Sequence, residues 1–127
     1  MDTSEQWVLV DMEKERLCGH KWIFGPFTPE GSSKHSKSIE IGYISLQEAE
    51  KTDQLHFHVN SEEYYLLLSG HMEIKVNKSI VKVAQGELLL VRPHVPHIIL
   101  KVEPGTRILL IKAPPSQNDK IIIVNQE

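Results

Sequence analysis

His56-Phe57-His58-Val59-Asn60-Ser61-Glu62-Glu63-Tyr64-Tyr65-Leu66-Leu67-Leu68-Ser69-Gly70 is the most informative stretch of the 127-residue chain. In an extended strand alternate side chains share a face, so His56 and His58 project together. Two neighbouring imidazoles on one face supply half of a first-row transition-metal site. That pair alone is a common pattern in a chain with 7 histidines. It becomes specific because Glu63 follows a predicted turn at Asn60-Ser61, with Gly70 closing the next strand. A second segment lies beyond the following hairpin, G-E-L-L-L-V-R-P-H-V-P-H from Gly86 to His97.

Around these segments the chain reads as short apolar runs broken by turns. The runs are Trp7–Val10, Ile39–Leu46, Leu55–Val59, Tyr64–Leu68, Met72–Val76, Ile80–Val83, Leu88–Val91, Ile98–Val102, Ile108–Ile111 and Ile121–Val124. Turn pairs such as Ser69-Gly70, Asn77-Lys78, Gln85-Gly86 and Pro104-Gly105 separate many of them. This spacing predicts an all-β sandwich or barrel. No helical period of useful length is visible, and Gln47–Asp53 reads as a polar loop. The Gly/Pro/Ser-rich stretch from Gly25 to Ser38 predicts a loop between an N-terminal arm and the barrel. We therefore expect one structural domain, with residues 1–37 as an arm and loop packing on a barrel formed by residues 38–127.

Composition narrows the function classes. Net charge is -3, from 14 basic and 17 acidic residues that are interspersed, which argues against a nucleic-acid partner. No apolar run is long enough to span a bilayer, so no membrane partner is expected. The polar start Met1-Asp2-Thr3-Ser4-Glu5 lacks the features of an export signal, and the single cysteine, Cys18, suits a reducing compartment; the expected location is cytoplasmic.

The two segments resemble the motifs of the cupin superfamily, G-x5-H-x-H-x3,4-E-x6-G and G-x5-P-x-G-x2-H-x3-N. His56, His58, Glu63 and Gly70 match the first; Gly86 and His97 match the second. Departures are Glu50 for the leading glycine, Arg92 for the proline, His94 for the second glycine and Lys101 for the final asparagine. None removes a ligand position. The resemblance implies a jelly-roll β-barrel with His56, His58, Glu63 and His97 as ligands of one divalent transition metal per chain. Three imidazoles and a carboxylate suit Fe, Mn or Ni first, then Zn, Co or Cu, rather than Ca or Mg.

Setting these ligands inward assigns the other side chains. Tyr65, Ile99 and Tyr43 become candidates for lining a small-molecule pocket, and Arg92, His94 and Lys101 for its basic rim. His20, His35 and His71 are expected at the surface. Leu55, Phe57, Val59, Tyr64, Leu66, Leu68, Ile98, Leu100 and Val102 would then face outward. So apolar an outer face needs cover, partly from Trp7 to Val10 and otherwise from a second copy, which predicts a homodimer. The expected activity is metal-dependent chemistry on a small molecule, of the oxidoreductase or dioxygenase type, with Glu63 acting as base as well as ligand. The alternatives are a sugar or keto-acid isomerase, or a metal-containing binding or sensing module without turnover.

Overall fold

A computed structural model of the chain describes residues 6–48, 53–116 and 118–124. Glu50 and part of the polar segment Gln47–Asp53 lie outside the described residues. A short helix, α1 (Met12–Leu17), precedes ten strands: β1 (Trp22–Phe24), β2 (Glu40–Leu46), β3 (His56–His58), β4 (Glu62–Ser69), β5 (His71–Val76), β6 (Ser79–Ala84), β7 (Leu88–Val91), β8 (His97–Val102), β9 (Thr106–Ala113) and β10 (Lys120–Ile122). They form two five-stranded antiparallel sheets, ordered β1-β2-β9-β4-β7 and β10-β3-β8-β5-β6. This is the jelly roll that the motifs predict.

Two-residue periodicity builds the interior. Along β4, Glu63, Tyr65 and Leu67 are buried and their neighbours half-buried; along β9 the buried set is Thr106, Ile108, Leu110 and Lys112. The apolar members of both rows meet Met72 and Ile74 of β5 and Val83 of β6 in one core between the sheets. That core occupies one end of the barrel. At the other end β4 and β9 carry Glu63 and Lys112 inward, where they meet His56 and His58 of β3 and His97 of β8.

Four expectations are corrected. The run Trp7–Val10 is not a strand and covers no sheet: Trp7 is 77% and Leu9 86% exposed. The segment after it is helical because Asp11 caps it, its side chain accepting from the Glu13 and Lys14 amides at 3.1 and 3.2 Å. Within the arm, Trp22–Phe24 pairs with β2 and extends the first sheet, too short a run to stand out among loop residues. Val102 points inward at 7% exposure, because the pairing of β5 with β8 shifts register between Glu73 and Ile74 and a bulge at Leu100 reverses the facing beyond it. His35 is half-buried rather than solvated, its Nδ1 lying 2.8 Å from the Thr28 carbonyl.

The apolar outer positions also belong to two different sheets. On the first sheet they align across strands as Ile41–Ile111–Tyr64–Leu90 and Tyr43–Leu109–Leu66–Leu88. Tyr43 is buried and its hydroxyl donates to Glu13 Oε2 of α1 at 2.8 Å, whereas Leu88 is 60% exposed.

Candidate metal centre

Three strands and one crossover assemble the site. β3 presents His56 and His58 on its inner face, and antiparallel pairing sets His97, the first residue of β8, directly opposite His56. After the turn at Asn60-Ser61 the chain crosses to the facing sheet, where Glu63 points back at the imidazoles. All four side chains are buried, and their candidate ligand atoms lie within 4.8 Å of one another. The His56 and His97 ring centroids are 4.3 Å apart, and His58 lies 5.2 Å from the former and 5.9 Å from the latter.

Each imidazole is anchored through Nδ1. His56 donates to the Gln54 carbonyl at 2.7 Å, His97 to the Val95 carbonyl at 3.0 Å and His58 to the Asp119 carboxylate at 3.1 Å. All three acceptors fix the proton on Nδ1 and leave the Nε2 lone pairs for the centre. Glu63 Oε1 sits among them, 2.9 Å from His97 Nε2 and 3.3 Å from His58 Nε2, and takes a 2.9 Å hydrogen bond from the Tyr65 hydroxyl. Buried His58 Nε2 makes no hydrogen bond. Three converging nitrogen lone pairs, one of them orphaned, beside a carboxylate are a donor set that a divalent transition metal satisfies.

Burial lowers His56 to about 4, so it is neutral at pH 7. Burial alone would push the Glu63 carboxyl up, but the close imidazoles of His58 and His97 outweigh it and hold it well below the usual carboxylate range. His58 responds oppositely: burial works against its charged form, while Glu63 and Asp119 prevail and raise it. Asp119 resists burial through His58, the Asn60 and Ser61 amides and Lys112, which bring it down to about 2. Burial and the Glu63 charge raise Tyr65 well above the normal phenol, keeping it a donor.

A cavity of about 220 Å³ opens beside the centre, with Tyr65 and Ile99 in its wall as expected. Trp22, Ile44 and Leu110 supply further apolar wall, and Lys21, Lys112, Lys120, Glu40 and Asp53 add charge to its lining. The proposed basic rim is not there. Arg92 is exposed and pairs with Glu62 at 3.1 Å, and Lys101 stands opposite Glu73 across the β5–β8 pair. His94 is exposed, with its ring 5.8 Å from Phe57. Tyr43 lies on the outer face of β2 beneath α1, away from the cavity. Lys112 was legible, since it continues the inward row Thr106, Ile108, Leu110; Asp119, in a polar loop, gave no such signal. His94 occupies a motif glycine position at φ 68, left-handed backbone that an ordinary side chain adopts only at some cost.

The Cupin domain family matches residues 42–110, and the chain belongs to that family. Among solved structures it is similar to the Streptomyces protein Pac13, a nucleoside dehydratase, in a complex with uridine (TM-score 0.60, 20% identity, 70% of this chain and 71% of that one). It is also similar to KdgF from a Halomonas species (TM-score 0.56, 10% identity, 66% and 76%) and to oxalate decarboxylase from Bacillus subtilis (TM-score 0.58, 21% identity, 69% and 24%). At these identities the likeness is one of fold. No curated protein matches the sequence. No helix among the described residues is long and apolar enough to cross a membrane.

Proposed function

We propose that this cupin is a cytoplasmic metal-dependent enzyme acting on a small molecule, with oxidoreductase or dioxygenase-type chemistry. One observation carries the reading: three Nδ1-anchored imidazoles and a carboxylate converge in a buried pocket. Fe, Mn or Ni held by His56, His58, Glu63 and His97 would supply Lewis acidity and redox chemistry. Around it, Glu63 accepts a proton from the substrate, and the Tyr65 hydroxyl holds its Oε1 in place for that role. Trp22, Ile99 and Leu110 exclude water from the reacting end. A 220 Å³ cavity falls below the usual range for drug-sized ligands and suits a metabolite of a few carbons.

A second reading, a non-redox isomerase, draws support from Lys112. It lines the pocket next to Glu63, its register partner on the paired strand, offering an acid beside a base. Both enzyme readings fit the charged wall better than a passive binding module does. The test is metal analysis of untagged protein followed by oxygen-electrode assays on small organic acids and polyols. Near one Fe, Mn or Ni per chain with substrate-dependent O2 uptake supports the first reading. Zinc with no O2 uptake supports the second, and a chain that takes up no metal even after reconstitution ends both.

The apolar outer rows of the first sheet support a homodimer packed sheet to sheet. Leu66 lies at the middle of one row, so Leu66→Asp places a charge in that interface. In light scattering the wild type is expected at twice the chain mass and Leu66→Asp at the chain mass. A monomeric wild type removes the dimer.

A further inference from the structure

The three imidazoles are not anchored alike. His56 and His97 each use the carbonyl two residues earlier, a contact that the segment leading into their own strand provides. His58 has no such local acceptor. Its Nδ1 meets Asp119 Oδ1 at 3.1 Å, across 61 positions of sequence. We propose that Asp119, which lies beyond the segment that defines the family, is a positioning residue of the metal centre, orienting His58 and strengthening it as a ligand.

The carboxylate is itself held rigidly. Its Oδ2 accepts from the Asn60 and Ser61 amides at 3.2 and 3.1 Å, and its backbone carbonyl accepts from the Val59 amide at 3.0 Å. Lys112 Nζ reaches Oδ1 at 3.4 Å, and the Ser61 hydroxyl donates to the Pro114 carbonyl. At 4% exposure Asp119 is shielded from water, so its contact with His58 is not diluted by solvent. A carboxylate on the distal nitrogen of a ligating histidine fixes the tautomer and the ring plane and raises basicity at the ligating nitrogen. Two ligands thus rest on neutral carbonyls and one on a charged group, and that one is placed by a loop outside the motif strands.

This inference rests on the metal-centre reading, and the experiment separates the two. Co(II) affinity is measured by chelator competition for the wild type, Asp119→Asn and Ser61→Ala, with thermal melts of the metal-free proteins. Asp119→Asn preserves shape while setting an amide against His58; affinity is expected to fall about 10–100-fold, with a shifted d–d spectrum. Ser61→Ala loosens the same loop without touching the carboxylate and should stay within about twofold of wild type. Wild-type affinity in Asp119→Asn overturns the proposal, as does an equal loss in Ser61→Ala. A wild type that binds no Co(II) takes down the metal centre itself. Nitrogen-15 NMR of zinc-loaded wild type needs no variant to fold: the His58 Nδ1–H proton should be observed downfield and slow to exchange with water, and a rapidly exchanging proton refutes the role.

Discussion

His58→Ala is expected to leave a folded protein that carries no transition metal. The imidazole is one of four donors, and its removal deletes a nitrogen lone pair that has no hydrogen-bonding partner within the chain. The loss in affinity should exceed the roughly hundredfold that the removal of an outer partner produces. Folding should survive because the apolar core of Leu67, Met72, Ile74 and Ile108 packs at the other end of the barrel and does not depend on the ligands. Asp119 keeps Lys112 and two amides after the change, so no buried charge is stranded. Metal content by mass spectrometry and a thermal melt of the same sample decide the matter. An unaltered metal load in His58→Ala sinks the centre as described; a collapsed melt shows that the site, not the core, holds the fold.

Gly70→Ala is expected to be among the most damaging single substitutions. Gly70 sits at φ +84, and a Cβ there would collide with Thr106 Oγ1 and come within 2.8 Å of the Thr106 Cα. Thr106 cannot yield: it is fully buried, and its hydroxyl donates to the Glu103 carbonyl at 2.6 Å while accepting from the His71 amide at 3.3 Å. Left-handed strain and overpacking together should cost about 2–5 kcal/mol. Gly86 provides the contrast, with the same φ of +84 and nothing within 4 Å of an added Cβ. Gly86→Ala should cost only the strain, about 1–2 kcal/mol. Denaturant melts of the two variants compare them directly, and equal losses would mean that the Thr106 contact is relieved by movement of the strand.

The motif glycines show what a sequence pattern encodes. Gly70 and Gly86 both mark left-handed turns, yet only the fold shows that one is also confined by a neighbour. Strand alternation made the pair His56 and His58 legible, and the resemblance to the cupin motifs added Glu63, which lies on the facing sheet, and His97. The interior rows of β4 and β9 were legible from the same alternation. Val102 was not, since a bulge depends on how two strands register and leaves no trace in either alone. Nor was Asp119 legible: its partner His58 is distant in sequence, and a single aspartate in a loop has no periodicity to betray it. The displaced rim of Arg92, His94 and Lys101 has a similar cause. Proximity to a ligand along the chain says little about the cavity, whose charged wall comes from Glu40 of β2, Lys112 of β9, Lys120 of β10 and the loop residues Lys21 and Asp53.

β9 lies at the centre of its sheet between β2 and β4, although both precede it in the chain by some forty to sixty residues. Until residues 106–113 arrive, β2 and β4 each present an open edge flanked by apolar rows. Closing such separations must precede the reward of pairing, which places folding in the millisecond-to-second range rather than the microseconds of helical bundles. In that interval the exposed edges can pair between chains, so the yield of soluble protein should depend on temperature and concentration during refolding more than the finished barrel would suggest.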